Sequence, residues 1–509
     1  MNRFFVTALS AVVYVCAAAA QKPASGLAFD VSKGVAGSVT VANGRTVHYT
    51  AYTKLFYVAN VEDSTYQYLN IFVPDGATQR TPIFMRNYVG GYMASEPRGI
   101  DPGDASGRAL AEGYVVAIPG ARGRNSTVKG RRGRTVYTGR APKALLDLKA
   151  AVRYLRLFDS TMPGDAERII TDGTSAGGAM SALLGATGNH PDYEPMLKAM
   201  GAADTRDDIY AAVCFCPIID LDHADMAYEW LYGCTNGKAR PLTAQQQQVS
   251  DELAALYPAY LDSLGLKKPD GTPLNSSNMI DYIRQLLIAS AQEAKDAGAE
   301  IADTLGFKFS ASGTFHAPVN GGMRPAGAPD APGLPGGMRG PRPARHGDKG
   351  EYITGLDMDK YLAYVVSTIA LKTPPAFDSK DVAGGRASGE NEEFGDNNGS
   401  SVNFTPYSLR RATGKGNAQL PEATKRNVRM LNPMCYIADP QSTVAPHWYI
   451  RHGARDRDTA FPIPVALATK LQNTGRDVDF KLPWNRPHSG DYALGELFDW
   501  AAEVAPVAE

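Results

Sequence analysis

The stretch Ile169-Ile170-Thr171-Asp172-Gly173-Thr174-Ser175-Ala176-Gly177-Gly178-Ala179-Met180 constrains this chain more than any other. It sets G-x-S-x-G between a short β-branched run and a run of small and apolar residues. In a strand-turn-helix, such a turn strains the serine backbone and lifts its hydroxyl above the sheet, and glycine at 173 and 177 leaves room for the neighbouring backbone. Ser175 then caps a helix N-terminus, where aligned peptide dipoles favour a developing alkoxide or oxyanion. The motif alone is a weak signal in a chain with 51 glycines. Its flanks make Ser175 a candidate nucleophile.

Those flanks continue in both directions. Alternating apolar and β-branched residues in 47–58 and 66–73 predict antiparallel strands closed by Pro74-Asp75-Gly76. Short apolar runs at 82–85 and 114–118 suit strands buried on both faces. A helix over 144–157, a strand over 168–171, a helix over 177–184 and a strand over 209–219 follow. Such alternation predicts a parallel sheet with helices on both sides, and the fold class is α/β.

After Asp220 the alternation stops until about Met434. The intervening residues predict helices over 244–264 and 277–299 and a long loop over the Pro/Gly-rich 311–350. Alternation resumes with a strand over 447–451, a helix over 462–473, a strand over 478–482 and a helix over 492–504. The simplest organisation is one α/β core in two parts, 21–220 and 434–509, split by an inserted domain over 221–433. Inserted blocks of this kind commonly cover an active site as a lid.

A serine nucleophile needs a base and an acid, which this topology supplies downstream in the order acid then histidine. His488, in Trp484-Asn485-Arg486-Pro487-His488-Ser489-Gly490, follows the last strand and is the candidate base; His452, at a strand end, is the competitor, read as structural. Asp456, in the loop Arg451 to Thr459, is the favoured acid, with Asp458 as fallback. Oxyanion stabilisation calls for backbone N–H groups from Ala176 and from the loop Asn87-Tyr88-Val89-Gly90-Gly91-Tyr92, where Gly91 is preferred and Gly90 is the neighbour choice.

Composition narrows the partners. The chain has 509 residues, 44% of them hydrophobic, and 52 Lys+Arg against 53 Asp+Glu, for a net charge of −1. That supports a large core and offers no polybasic surface for nucleic acid. Residues 1–20 run from Arg3 through an apolar stretch to Ala17–Ala20, the pattern of a cleaved secretory signal. Export without stable membrane association is expected, and lipid attachment at Cys16 is disfavoured by bulky Tyr14 and Val15. Beyond the signal, Cys214, Cys216, Cys234 and Cys435 remain. A bridge from Cys214 or Cys216 to Cys234 is one expectation, and the C-x-C lacks a second pair at zinc spacing, so no metal is expected. Acidic 390–396 also misses the spacing of a calcium loop.

Together these residues resemble bacterial tannases of the α/β-hydrolase type, a branch of the tannase and feruloyl esterase group. The likeness covers most of the mature chain. It is carried by Gly173 to Gly178, Asn87 to Met93, Leu371-Lys372-Thr373-Pro374-Pro375-Ala376-Phe377-Asp378, Ser388-Gly389-Glu390-Asn391 with Phe394-Gly395, and His452 to Thr459 with its Asp-Arg-Asp. The resemblance implies an α/β-hydrolase fold with a large lid and a Ser175-His488-Asp456 triad. It further implies that Lys372, Glu390 and Asp458 hold the hydroxyls of a galloyl ring, with Glu392 or Glu393 as replacements for Glu390. Without the resemblance, Lys372 reads as a surface lysine and Glu390 as part of a solvated acidic loop.

The reading is an exported serine esterase acting on small phenolic esters, the galloyl esters and depsides of tannins, with no cofactor. Its rivals are a feruloyl, chlorogenate or general aryl esterase, a noncatalytic hydrolase-fold binding module, and a peptidase, for which no propeller-like repeat is present. The sequence leaves the oligomeric state open.

Overall fold

A computed structural model describes residues 26–42, 44–310 and 352–507. The expected signal at 1–20, with Cys16, and the Pro/Gly-rich 311–350 lie outside the described residues. The strands are β1 (Val35–Thr40), β2 (Thr46–Phe56), β3 (Tyr68–Pro74), β4 (Pro82–Arg86), β5 (Val115–Pro119), β6 (Thr127–Lys129), β7 (Thr135–Tyr137), β8 (Asp165–Thr174), β9 (Ala211–Phe215), β10 (Phe307–Ser310), β11 (Tyr352–Leu356), β12 (His447–Arg451) and β13 (Asp477–Lys481). Nine of them form the central sheet, in the order β1-β2-β3-β5-β4-β8-β9-β12-β13. From β5 to β13 every neighbouring pair is parallel, while β1, β2 and β3 run antiparallel at one side. This is the α/β architecture expected.

Both faces of the parallel part are buried, because successive side chains of a strand point to opposite sides. Ile83, Met85, Ile169, Ala212, Cys214, Trp448 and Ile450 pack on one side with the helices Lys143–Leu157, Ala176–Ala186 and Pro462–Asn473. Phe84, Val116, Ile170, Val213, Phe215 and Tyr449 pack on the other with Ala105–Ala111 and Leu494–Val504. The helix Ala176–Ala186 is apolar or small all round and every residue in it is buried, which is why it sits at the centre of its layer.

Between β9 and β12 no described residue joins the central sheet. The inserted helices include Leu221–Tyr232, Ala244–Ser263, Met279–Asp296, Met358–Thr368, Gly389–Glu393, Pro406–Thr413 and Glu422–Met430. β10 and β11 pair antiparallel, so that Ser310 faces Tyr352 across the Pro/Gly-rich stretch. The insertion also grips the core. Tyr361 donates its hydroxyl to Ala454 O at 2.5 Å, and Tyr232 donates to Asp456 O at 3.3 Å.

The disulfide expectation is not met. Cys214, Cys216, Cys234 and Cys435 are all free. Cys214 lies in the packed core, Cys216 points its thiol to Ser489 O at 3.3 Å, and Cys234 points to Leu231 O at 3.6 Å. Among the described residues no helix is long and apolar enough to cross a membrane.

Candidate active site

β8 runs to Thr174 and the next residue turns. Ser175 has φ +62° and ψ −122°, a conformation a non-glycine residue adopts only when its surroundings enforce it. Its N–H bonds Phe215 O at 2.9 Å, and its carbonyl accepts the first turn of the helix Ala176–Ala186 from Ala179 N at 2.9 Å. A Cβ on Gly173 would run into Gly177 O, so only glycine permits this approach of strand to helix. Ala176 is the first residue of that helix.

From this elbow a relay extends. Ser175 Oγ lies 2.9 Å from His488 Nε2, and His488 Nδ1 lies 2.7 Å from Asp456 Oδ2. Asp456 is fully buried, and its Oδ1 accepts the N–H of Asp458 at 2.8 Å. Burial alone would raise its pKa, but His452, His488 and the Asp458 N–H together hold it down at about 2. Burial likewise works against protonation of His488, yet its hydrogen bond to Asp456 and the charges of Asp456 and Asp458 raise its pKa above the usual imidazole value. Both shifts match an imidazole held against a permanent carboxylate.

The competitor His452 approaches the same carboxylate oxygen of the acid as His488 does. It is buried, its Nδ1 is 3.5 Å from Asp456 Oδ2, and neither ring nitrogen has a hydrogen-bond partner. Burial keeps its pKa low. Asp458, the fallback acid, ion-pairs with Arg457, and its Oδ2 is 3.7 Å from His488 Nδ1. It lies beside the relay rather than in it.

The loop between β4 and the helix Ala105–Ala111 closes over the elbow. Asn87 straps it there, donating from Nδ2 to Asp172 O at 2.9 Å, to Gly177 O at 3.1 Å and to Ser181 Oγ at 3.2 Å. Gly91 and Tyr92 both have positive φ, +55° and +56°, and Arg124 Nε donates to Gly91 O at 2.8 Å. Gly90 accepts from Met93 N at 2.9 Å in a tight turn.

The insertion brings Lys372 to the same place. Its Nζ donates to Asp458 O at 3.1 Å and lies 4.0 Å from the centroid of the Phe377 ring. Lys372 is also among the charges that act on His488. Glu390 stands on the short helix Gly389–Glu393, half-buried, and its charge acts on Tyr92 of the Gly-rich loop. Glu392 pairs instead with Arg124. Glu393 is buried with both carboxylate oxygens unpartnered, and burial raises its pKa well above the ordinary range.

Sequence reasoning missed one ion cluster. Arg86, at the end of β4, pairs with buried Asp172 and donates from Nη2 to Asp491 Oδ2 at 2.6 Å. It thereby ties the strand that delivers Ser175 to the loop that delivers His488. A Cβ on Gly490 would collide with Thr174 Oγ1, so this loop rests directly on the elbow. No spacing rule links an arginine to two aspartates this far along the chain. We expect Arg86→Met to cost about 3–5 kcal/mol by stranding buried carboxylates. Urea denaturation measures this, and an unchanged midpoint would refute the coupling.

Among the described residues two groups each bring three potential metal-ligand atoms within 4.8 Å of one another: Cys216 with Asp456 and His488, and Asp220 with Asp222 and His223. In the second, Asp220 already accepts from His223 Nδ1, Asn432 Nδ2 and Tyr260 Oη at 2.6–2.7 Å. Both read as hydrogen-bonded networks.

A family model described as BD-FAE matches residues 69–261. No curated protein matches the chain. Among solved structures, the chain is similar to a Fusobacterium nucleatum tannase at 35% identity, covering 94% of this chain and 99% of that one, with a TM-score of 0.78. It is similar at 37% identity and TM-score 0.77 to a tannin acyl hydrolase in complex with ethyl gallate, over 94% and 98% of the two chains. The tannin acyl hydrolase from Lactobacillus plantarum matches at 36% identity and TM-score 0.76, with the same coverage. Likeness of this extent, over a core and an insertion together, shows that the chain belongs to the bacterial tannases of the α/β-hydrolase fold.

Proposed function

We propose that the protein is a serine esterase that hydrolyses galloyl esters and depsides of tannins and alkyl gallates to gallic acid. The observation that carries this reading is the relay from Ser175 through His488 to Asp456. Ser175 Oγ attacks the ester carbonyl as His488 Nε2 takes its proton, and Asp456 stabilises the resulting imidazolium. The N–H groups of Ala176 and Gly91 receive the tetrahedral oxyanion. The leaving alcohol takes the proton from His488. Water, deprotonated by the same imidazole, then frees gallate from the acyl-enzyme.

Lys372, Asp458 and Glu390 are assigned to the ring hydroxyls. Carboxylates accept from phenols, and an ammonium favours partial phenolate character. Glu390 is preferred to Glu392, which is taken by Arg124, and to Glu393, which is buried. Related structures were determined with ethyl gallate and with 3,4-dihydroxybenzoate, which supports a phenolic acyl pocket. The insertion, 221–433, serves as the lid that carries Lys372 and Glu390, and residues 1–20 direct export.

Relative kcat/KM on methyl gallate and methyl ferulate tests the assignment. Charges that a bound ring covers and, lacking vicinal hydroxyls, leaves unpaired should make ferulate worse by at least about a hundredfold. Faster cleavage of ferulate would overturn the gallate reading.

A further inference from the structure

Lys372 and Glu390 come from separate stretches of the insertion, and a pocket that reads three adjacent hydroxyls needs them at a fixed separation. Between those two stretches of the chain lies a buried carboxylate, that of Asp378. Asp378 has no exposed surface. Its Oδ1 accepts from Asn391 Nδ2 at 2.7 Å and Asn403 Nδ2 at 2.9 Å; its Oδ2 accepts from Phe404 N at 2.9 Å, Thr405 N at 2.7 Å and Thr405 Oγ1 at 2.8 Å.

Two arms meet at Asp378, one at its backbone N–H and one at its carboxylate. In one, Asp225, also buried, accepts the N–H of Phe377 at 2.7 Å and of Asp378 at 2.9 Å. That fixes the backbone beneath Phe377, whose ring lies 4.0 Å from Lys372 Nζ. In the other, Asn391 occupies the third position of the helix Gly389–Glu393 and closes a reciprocal cap with Ser388, whose hydroxyl donates to Phe377 O. Glu390 sits between these two anchored residues.

We propose that Asp378 is a positioning residue for acyl-group specificity, setting through Phe377 and Asn391 the separation of Lys372 and Glu390 that matches a galloyl ring. The inference rests on the galloyl reading of the site. It assigns Asp378 no contact with substrate.

The test uses Asp378→Asn and Asn391→Ala in the full-length protein, with methyl gallate against p-nitrophenyl acetate, an ester that engages the triad but has no ring on its acyl side. In Asp378→Asn an amide donor faces backbone or side-chain donors; Asn391→Ala cuts the arm to the Glu390 helix, together with the amide's bonds to Lys380 N and Val402 O, and leaves the Asp225 bonds in place. Both should lower kcat/KM for methyl gallate by about tenfold or more, chiefly through KM, and leave p-nitrophenyl acetate within about twofold. In a Lys372→Ala background, Asn391→Ala should add less than about twofold, because the separation no longer matters.

Equal losses on both substrates, or unchanged methyl gallate constants in folded Asn391→Ala, would overturn the proposal. If Asp378→Asn does not accumulate as folded protein, Asn391→Ala decides alone. Failure of the galloyl reading looks different: the unsubstituted enzyme would then cleave methyl benzoate as well as methyl gallate.

Discussion

Ser175→Ala is expected to lower kcat for methyl gallate by about 10⁵-fold to 10⁶-fold while leaving the fold intact. The bonds that set the elbow are backbone bonds, from Ser175 N to Phe215 O and from Ala179 N to Ser175 O, and alanine keeps both. Alanine at φ +62° is no more strained than serine. The ring contacts proposed for Lys372 and Asp458 do not involve Ser175, so methyl gallate should still bind, as calorimetry on the inactive variant would register. Gallate release within about tenfold of the unsubstituted rate would remove the acyl-enzyme mechanism.

The second large effect belongs to Asp456→Asn, expected at about 10⁴-fold in kcat. The carboxylate accepts from His488 Nδ1 and from Asp458 N on separate oxygens. An amide offers one acceptor, so either Asp458 N or the imidazole loses its partner, and a donor facing Nδ1 selects the tautomer that cannot take the serine proton. The pH profile carries a matching signature. Asp456 sits near 2 and stays ionised throughout the working range, so the acid limb reports His488. The base must be neutral, and its pKa is raised. Activity should therefore fall away as pH drops through a midpoint above the ordinary imidazole value of about 6.5. Asp456→Asn should move that midpoint down. A kcat/KM profile with an acid limb below about 6.5 in the unsubstituted enzyme would contradict the coupling.

The parallel core was legible because its strands are buried on both faces and read as short apolar runs between glycines and prolines. The expected strand at 447–451 and helix at 462–473 agree with the observed bounds. β1 was missed because none of its residues is buried, so Val35–Thr40 carries no run of core-facing apolar residues to detect. β8 extends beyond the expected 168–171 because Gly173 and Thr174 go on pairing with Cys214 and Phe215, which no propensity anticipates. The strand expected over 209–219 ends at Phe215, since Cys216 adopts φ +45° and breaks the extension.

The relay was readable from chain order and loop position, and the structure brings Ser175, His488 and Asp456 into contact. Lys372 beside Asp458 was reached only through family likeness. Its local sequence, Lys-Thr-Pro-Pro, says nothing of the distant loop it meets. The tyrosines that brace the acid loop, Tyr232 and Tyr361, left no trace either, for a buried tyrosine in a helix looks like any other core residue.

The pairing of β9 with β12 sets Ala211 beside His447. Everything needed to raise the serine is made before the insertion, and everything needed to deprotonate it comes after. At ordinary translation speeds the ribosome spends roughly ten to fifty seconds between the two. Throughout that interval the nascent polypeptide holds an inert hydroxyl. On the proposed mechanism, competence to hydrolyse arrives only when the last two parallel strands dock, a slow, long-range closure, so chains that stop short of His488 are expected to be inert.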